Sequence, residues 1–157
     1  MNDGDPLDSL PRPRISKLAA AAAVVSLIGL VDSIYLTVHH YTAEPVPCSL
    51  LEGCEQVLTS SYAEIAGIPL AGFGAAAYFA AFSLALMTAF GDRRMWRIFG
   101  VHVTLMSIVS AWLVYVQAAV IGAFCQFCLL SAATTLTLFI LFATSLFLDR
   151  SARGPSD

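Results

Sequence analysis

Charge is what this sequence most lacks. Only 12% of its 157 residues are Asp, Glu, Lys or Arg, and 58% are hydrophobic. A soluble domain carries about a quarter charged residues. A water-soluble globule is therefore excluded, because so little polar surface cannot cover so much apolar side chain. No basic cluster of the kind that binds nucleic acid is present, and no internal repeat. The length suits one domain. Within four stretches, about 18–38, 69–90, 98–124 and 125–148, there is no Lys or Arg and one carboxylate, Asp32.

Each stretch exceeds the roughly 20 residues that cross a hydrocarbon core as a helix. Lipid offers backbone groups no hydrogen-bond partner, so each must be helical. The sequence thus predicts an all-α integral membrane protein, a four-transmembrane-helix bundle. The first stretch is no cleavable signal peptide, since its apolar run is too long and its small residues, Ala19 to Ala23, stand at its start.

Positive charge is missing from two of the three connections. All eight Lys and Arg fall in three places: Arg12, Arg14 and Lys17; Arg93, Arg94 and Arg97; Arg150 and Arg153. The positive-inside rule puts both termini and the middle connection in the cytoplasm. The long connection 39–68 and a short turn near Gly122 then face outward. Residues 1–16 and 149–157 are expected to be disordered cytoplasmic tails flanking a membrane domain over 17–148.

Cysteine is scarce, and its placement is one-sided. Cys48, Cys54, Cys125 and Cys128 all map to the outward face, the side on which disulfides persist. Cys125 and Cys128 open the last span as Cys-Gln-Phe-Cys. Residues three apart share a helix face, and a helix N-terminus favours a thiolate, so this pair suits disulfide exchange. Two inert thiols are the plainer alternative. Cys48 and Cys54 lie in the long connection, where Gly53 is expected to help the chain turn back. They could form a mobile shuttle or a disulfide that merely clips the loop. Together the pairs suggest a thiol–disulfide relay ending at the bilayer. Such a relay needs a lipid-soluble acceptor, and a membrane quinone is the natural one. Beyond Cys54, residues Val57, Leu58, Ser61, Tyr62 and Ile65 recur at helical spacing. They predict a short amphipathic capping helix in the first exoplasmic loop, either a lid over the acceptor or a connector.

The alternatives are non-enzymatic: a four-cysteine metal site, or a scaffold with structural disulfides. Zinc ligation is disfavoured by the five residues between Cys48 and Cys54. Another bacterial family of four-span quinone-linked thiol oxidases has its Cys-x-x-Cys in the first outer loop, the reverse of the order here.

Over about 17–148 the chain resembles bacterial homologues of vitamin K epoxide reductase. The resemblance rests on Cys48 and Cys54, on Val57-Leu-Thr-Ser-Ser-Tyr-Ala63, on Gly67-Ile-Pro-Leu-Ala71 with Gly74, and on Cys125-Gln-Phe-Cys128. It implies a thiol oxidase of the bacterial inner membrane, with Cys128 against a bound quinone (ubiquinone or menaquinone) and Cys125 exchanging with the loop pair. It also implies that Ser60, in the capping helix, serves the quinone site. Animal members have Tyr at the position of Ala132, so no expectation of vitamin K epoxide reduction is carried over. The chain ends at Asp157, and its partner is expected to be a separate exported thioredoxin-like protein. The quinone site is expected to draw on Tyr62 of the capping segment and on apolar walls from Phe124, Phe127 and Leu129. Asp32 either relays protons there or is hydrogen-bonded to Ser or Thr on another helix. Its burial costs roughly 2.5–3.5 kcal/mol on insertion scales. Ser110 and Gln117 either bond the quinone or bridge helices, and His102 is expected to be structural.

Overall fold

The computed structural model describes residues 12–42, 46–48 and 53–153. Helix α1 spans Arg12–Thr42, α2 Cys54–Leu58, α3 Leu70–Ala89, α4 Arg93–Val116 and α5 Gln126–Arg153. Strands β1 (Glu64–Ile65) and β2 (Ile68–Pro69) form a two-stranded antiparallel hairpin. A π-helical turn, Gln117–Ile121, continues α4 to Gly122. Four helical segments are long and apolar enough to cross a membrane: Ile15–Thr42, Leu70–Ala89, Arg93–Ile121 and Gln126–Leu148. These are the four spans expected from the sequence.

The ends differ from expectation. Residues 12–16 and 149–153 are helical rather than tail. Ile15 is buried against the bundle, and the Ser16 hydroxyl donates to the Ala89 carbonyl at 3.0 Å, which fixes the start of α1 on the end of α3. Pro13 sits in the first turn, where a helix tolerates it. The rest of the expected tails, 1–11 and 154–157, lies outside the described residues.

Helix α1 packs on α3 and α5, and α4 packs on the same two, so the bundle runs in the ring order α1, α3, α4, α5. At the end away from the cysteines, Ala19, Ala22 and Ala23 of α1 pack with Ala81 and Ala85 of α3 in one apolar core. Small side chains let the backbones approach closely. Trp96 stacks on Phe99 at 4.7 Å and donates its indole N–H to the Ser145 hydroxyl at 2.8 Å. His102 bridges α4 to the Ala77 carbonyl of α3 at 2.9 Å. Higher up, Tyr78 joins α3 to α5. Its hydroxyl donates to the Ser131 carbonyl at 2.7 Å and lies 2.7 Å from the Thr135 hydroxyl. The outer surface of the helices stays apolar, with Val24, Val31, Val101, Leu105 and Ile108 among the exposed side chains, as a lipid-facing surface requires.

The capping segment is shorter than the periodicity predicts. The helix stops at Leu58 instead of continuing through Tyr62 to Ile65. Thr59 and Ser60 turn their hydroxyls back onto the carbonyls of Glu55 and Val57, at 2.6 and 2.7 Å. Such side-chain bonds compete with helix propagation. The chain then enters the hairpin, whose two-residue turn, Ala66-Gly67, has φ of 54° and 78°, the positive values of a type I′ turn.

Candidate functional site: a cysteine cluster beside a cavity

All four cysteines come together at one end of the bundle. Cys54, Val57, Ala123 and Cys125 form one buried cluster, and Cys48 and Cys128 pack against it. Cys48 and Cys54 are joined in a disulfide with a Cα–Cα separation of 6.3 Å, while Cys125 and Cys128 are free thiols. Among the described residues, no group of three or more His, Cys, Asp or Glu side chains converges to hold a metal ion.

Gly53 makes this contact possible. Its backbone, φ −89° and ψ 2°, is open to any residue, so glycine is not needed here to turn the chain, contrary to the sequence-based expectation. It is needed for room. A Cβ on Gly53 would lie 2.9 Å from the Cβ of Ala123 and from the N and O atoms of Phe124. The loop that carries Cys54 thus lies directly on the segment that delivers Cys125.

Cys125 stands just before α5, outside the span itself. Its backbone N–H donates to Gln117 Oε1 at 3.0 Å, a buried bond that ties the cysteine to the π-helical turn. The neighbouring Cys128 thiol, helped by the backbone N–H groups of Cys128 and Phe127, holds the Cys125 thiol down to about 7, against the opposing effect of burial. The donors at the start of α5 therefore serve Cys125 first.

Behind the cluster lies a cavity of about 610 Å³, between α1, α3, α4 and α5 and under α2 and the hairpin. Such a volume lies within the usual range for a small-molecule site. Cys128 lines it; Cys54 and Cys125 do not. Ser60, Tyr62 and Asp32 are also in its wall, together with Ser33, Leu36, Leu113, Ser110, Gln117 and Ser131. The hairpin is held over the opening by His40 Nε2, 3.2 Å from Glu64 Oε1.

Three expected wall residues lie elsewhere. Phe127 lines a separate, lipid-side groove with Val24, Leu27, Ile28, Val31, Tyr35 and Leu130. Phe124 is exposed, and Leu129 is half-buried without reaching the cavity. The reason is helical phase. Cys128 and Ser131, one turn apart on α5, face inward. The intervening residues Leu129 and Leu130 therefore turn away, as does Phe127 one position before. The apolar wall comes instead from Leu36, Leu113, Val114 and Val116. Nothing in the local pattern of α1 or α4 distinguishes these from lipid-facing residues. Gln117 did carry a signal, as a polar side chain in an apolar span.

Asp32 is 7% exposed, and its Oδ2 atom is buried with no hydrogen-bond partner among the described residues. The expected bond to Ser or Thr on another helix is therefore not made through that atom. The residue lines both the cavity and the lipid-side groove.

The family model described as the vitamin K epoxide reductase family matches residues 20–143. That range holds all four spans in substance and every cysteine. By this match over most of its length, with its cysteine cluster set on a four-span bundle, the chain belongs to the vitamin K epoxide reductase family of membrane disulfide oxidoreductases.

Proposed function

We propose that this protein is a quinone-linked thiol oxidase of the bacterial inner membrane, reoxidising an exported thioredoxin-like partner. One observation carries the reading. Cys54 and Cys125 share one buried cluster, while Cys128, three residues on, opens to the cavity. Electrons from a partner's thiols would reduce the Cys48–Cys54 disulfide. A thiolate of the loop would then attack Cys125 in its disulfide with Cys128, releasing Cys128 at the cavity wall. Cys48 is the half-buried member of the loop pair and Cys54 the buried one, so Cys48 is the natural contact for the partner and Cys54 for Cys125.

The cavity fits a quinone ring on two grounds. Its exposed wall is mainly apolar by area with polar side chains set into it, and one buried carboxylate oxygen there lacks a partner among the described residues. Ser60, Tyr62, Asp32 and Cys128 would surround the ring, and a bound ubiquinone or menaquinone would supply a two-electron, two-proton acceptor. The placement of Lys and Arg supports cytoplasmic termini and an exoplasmic cysteine face.

The test is spectroscopic. Replacing Cys125 by Ala frees Cys128 from its disulfide and leaves the cavity lining intact. A Cys128 thiolate against quinone should then give a visible charge-transfer absorbance, absent when Cys128 is also replaced. A colourless Cys125→Ala protein with quinone demonstrably bound would show that Cys128 does not meet the ring.

A further inference from the structure

We propose that Asp32 is the proton carrier of the quinone site, taking the proton of the Cys128 thiol and delivering it to a quinone oxygen. The inference rests on the reading of the cavity as a quinone site and adds a residue to its chemistry.

Cys128 needs such a carrier. Cys128 is the sulfur that faces the cavity, and a thiol must give up its proton before it can donate electrons as the thiolate. Asp32 faces the same cavity from α1. A carboxylate oxygen buried with no partner among the described residues is costly to keep there. Its lone pairs are free to take a proton.

The other titratable groups around it are less suited. On α1, Tyr35 lines the lipid-side groove rather than the cavity; His39 does line the cavity, but two turns outward from Asp32 and packed beside Tyr35, with ring centroids 4.4 Å apart. On α3, Tyr78 is engaged with Ser131 and Thr135. On α5, Cys125 and Cys128 are the reacting pair. The stretches of α4 and its π-helical turn that line the cavity contribute Ser110 and Gln117 but no titratable group. At the mouth, Glu64 is beside His40, Glu55 is exposed on α2, and Tyr62 is exposed and edge-on to Trp112.

The step balances. The reduced pair gives up two electrons and two thiol protons, one S–S bond forms between Cys125 and Cys128, and one quinone becomes one quinol. Asp32 handles the Cys128 proton and ends the cycle as it began. The Cys125 proton completes the count.

The test uses the purified full chain with a short-chain ubiquinone analogue. In single turnover of prereduced protein, Asp32→Asn should slow quinone reduction by about 10²–10⁴-fold, the usual contribution of a positioned acid–base group. Quinone affinity should change little, and Asp32→Glu should restore much of the rate. A second readout does not depend on turnover. In the Cys125→Ala background, adding Asp32→Asn should remove the charge-transfer colour at neutral pH while quinone stays bound, because Cys128 has lost its proton acceptor. The Asn variant should melt no lower than the parent, since it removes a buried, unpartnered carboxyl. An unchanged single-turnover rate, or undiminished colour at equal quinone occupancy, would overturn the proposal. Should Asp32→Asn fail to fold, Asp32→Ala, which is smaller and equally unable to carry a proton, goes through the same two assays, and the same outcomes decide. A colourless Cys125→Ala parent with quinone bound sinks the site reading itself, which separates the two failures.

Discussion

Gly53→Ala isolates the contact on which the relay depends. The backbone of Gly53 already suits alanine, at φ −89° and ψ 2°, so the substitution adds no conformational strain. It adds one methyl group, 2.9 Å from Ala123 Cβ and from the N and O atoms of Phe124. Ordinary carbon contacts fall near 3.5–4.0 Å, so about 0.6 Å or more of separation must be found. Two of the three obstructing atoms are backbone, which cannot swing aside like a side-chain tip. Overpacking of this kind costs about 1–3 kcal/mol. If the loop relieves it by lifting off, the docked population falls about 5- to 150-fold. Electron transfer from Cys54 to Cys125 should slow by the same factor. Global stability should move less, because Gly→Ala stiffens the unfolded chain and returns about 0.4–1 kcal/mol. The assay is stopped-flow oxidation of a reduced thioredoxin-like partner, compared with quinone reduction driven by a small dithiol that bypasses the loop. The first should fall and the second should hold. Partner oxidation at the normal rate would show that docking of Gly53 on Ala123 and Phe124 is not what joins the two pairs.

Reporter fusions after Pro47 should read exoplasmic and after Asp92 cytoplasmic, as the placement of Lys and Arg demands; the reverse pattern would invert the scheme. Gln117→Leu strands the buried N–H of Cys125, which should cost about 1–3 kcal/mol, seen as a lower melting temperature and slower exchange with the loop. A Gln117→Leu protein as stable as the parent would remove that bond from the account. In the reduced protein, attack of Cys125 on an added disulfide should rise with pH through about 7 and level off above, because the thiol is held down to about 7 and only the thiolate is nucleophilic. A midpoint in the ordinary thiol range, about 8.5, would show that the α5 donors do not serve Cys125. Replacing Cys48 or Cys54 should block partner oxidation and spare reduction by the small dithiol, and normal partner turnover would rule out a shuttle.

The sequence by itself determined the four spans, and the family follows from the order of its cysteines and the segments between them. Hydrocarbon leaves the backbone no option but helix, so long uncharged stretches such as 69–90 and 98–124 could be placed within a few residues. The ends were less legible. Arg12 to Ser16 look like tail, and only the contacts of Ile15 and Ser16 with the bundle make them helix. The capping segment kept helical spacing through Ile65, but hydroxyl bonds from Thr59 and Ser60 and the Ala66-Gly67 turn ended it early. Tertiary structure alone decided what faces the cavity. In lipid, both the inner and outer faces of a helix are apolar, so periodicity gives no phase. Phe127 and Leu113 read alike in sequence, yet one lines a lipid-side groove and the other the cavity. The roles of Gly53 and Asp32 are of the same kind. One is set by a neighbouring segment 70 residues away in the chain that leaves no space for a side chain. The other is set by a bundle that buries a carboxylate oxygen and, among the described residues, offers it no hydrogen, a fact that exists only once the helices have packed.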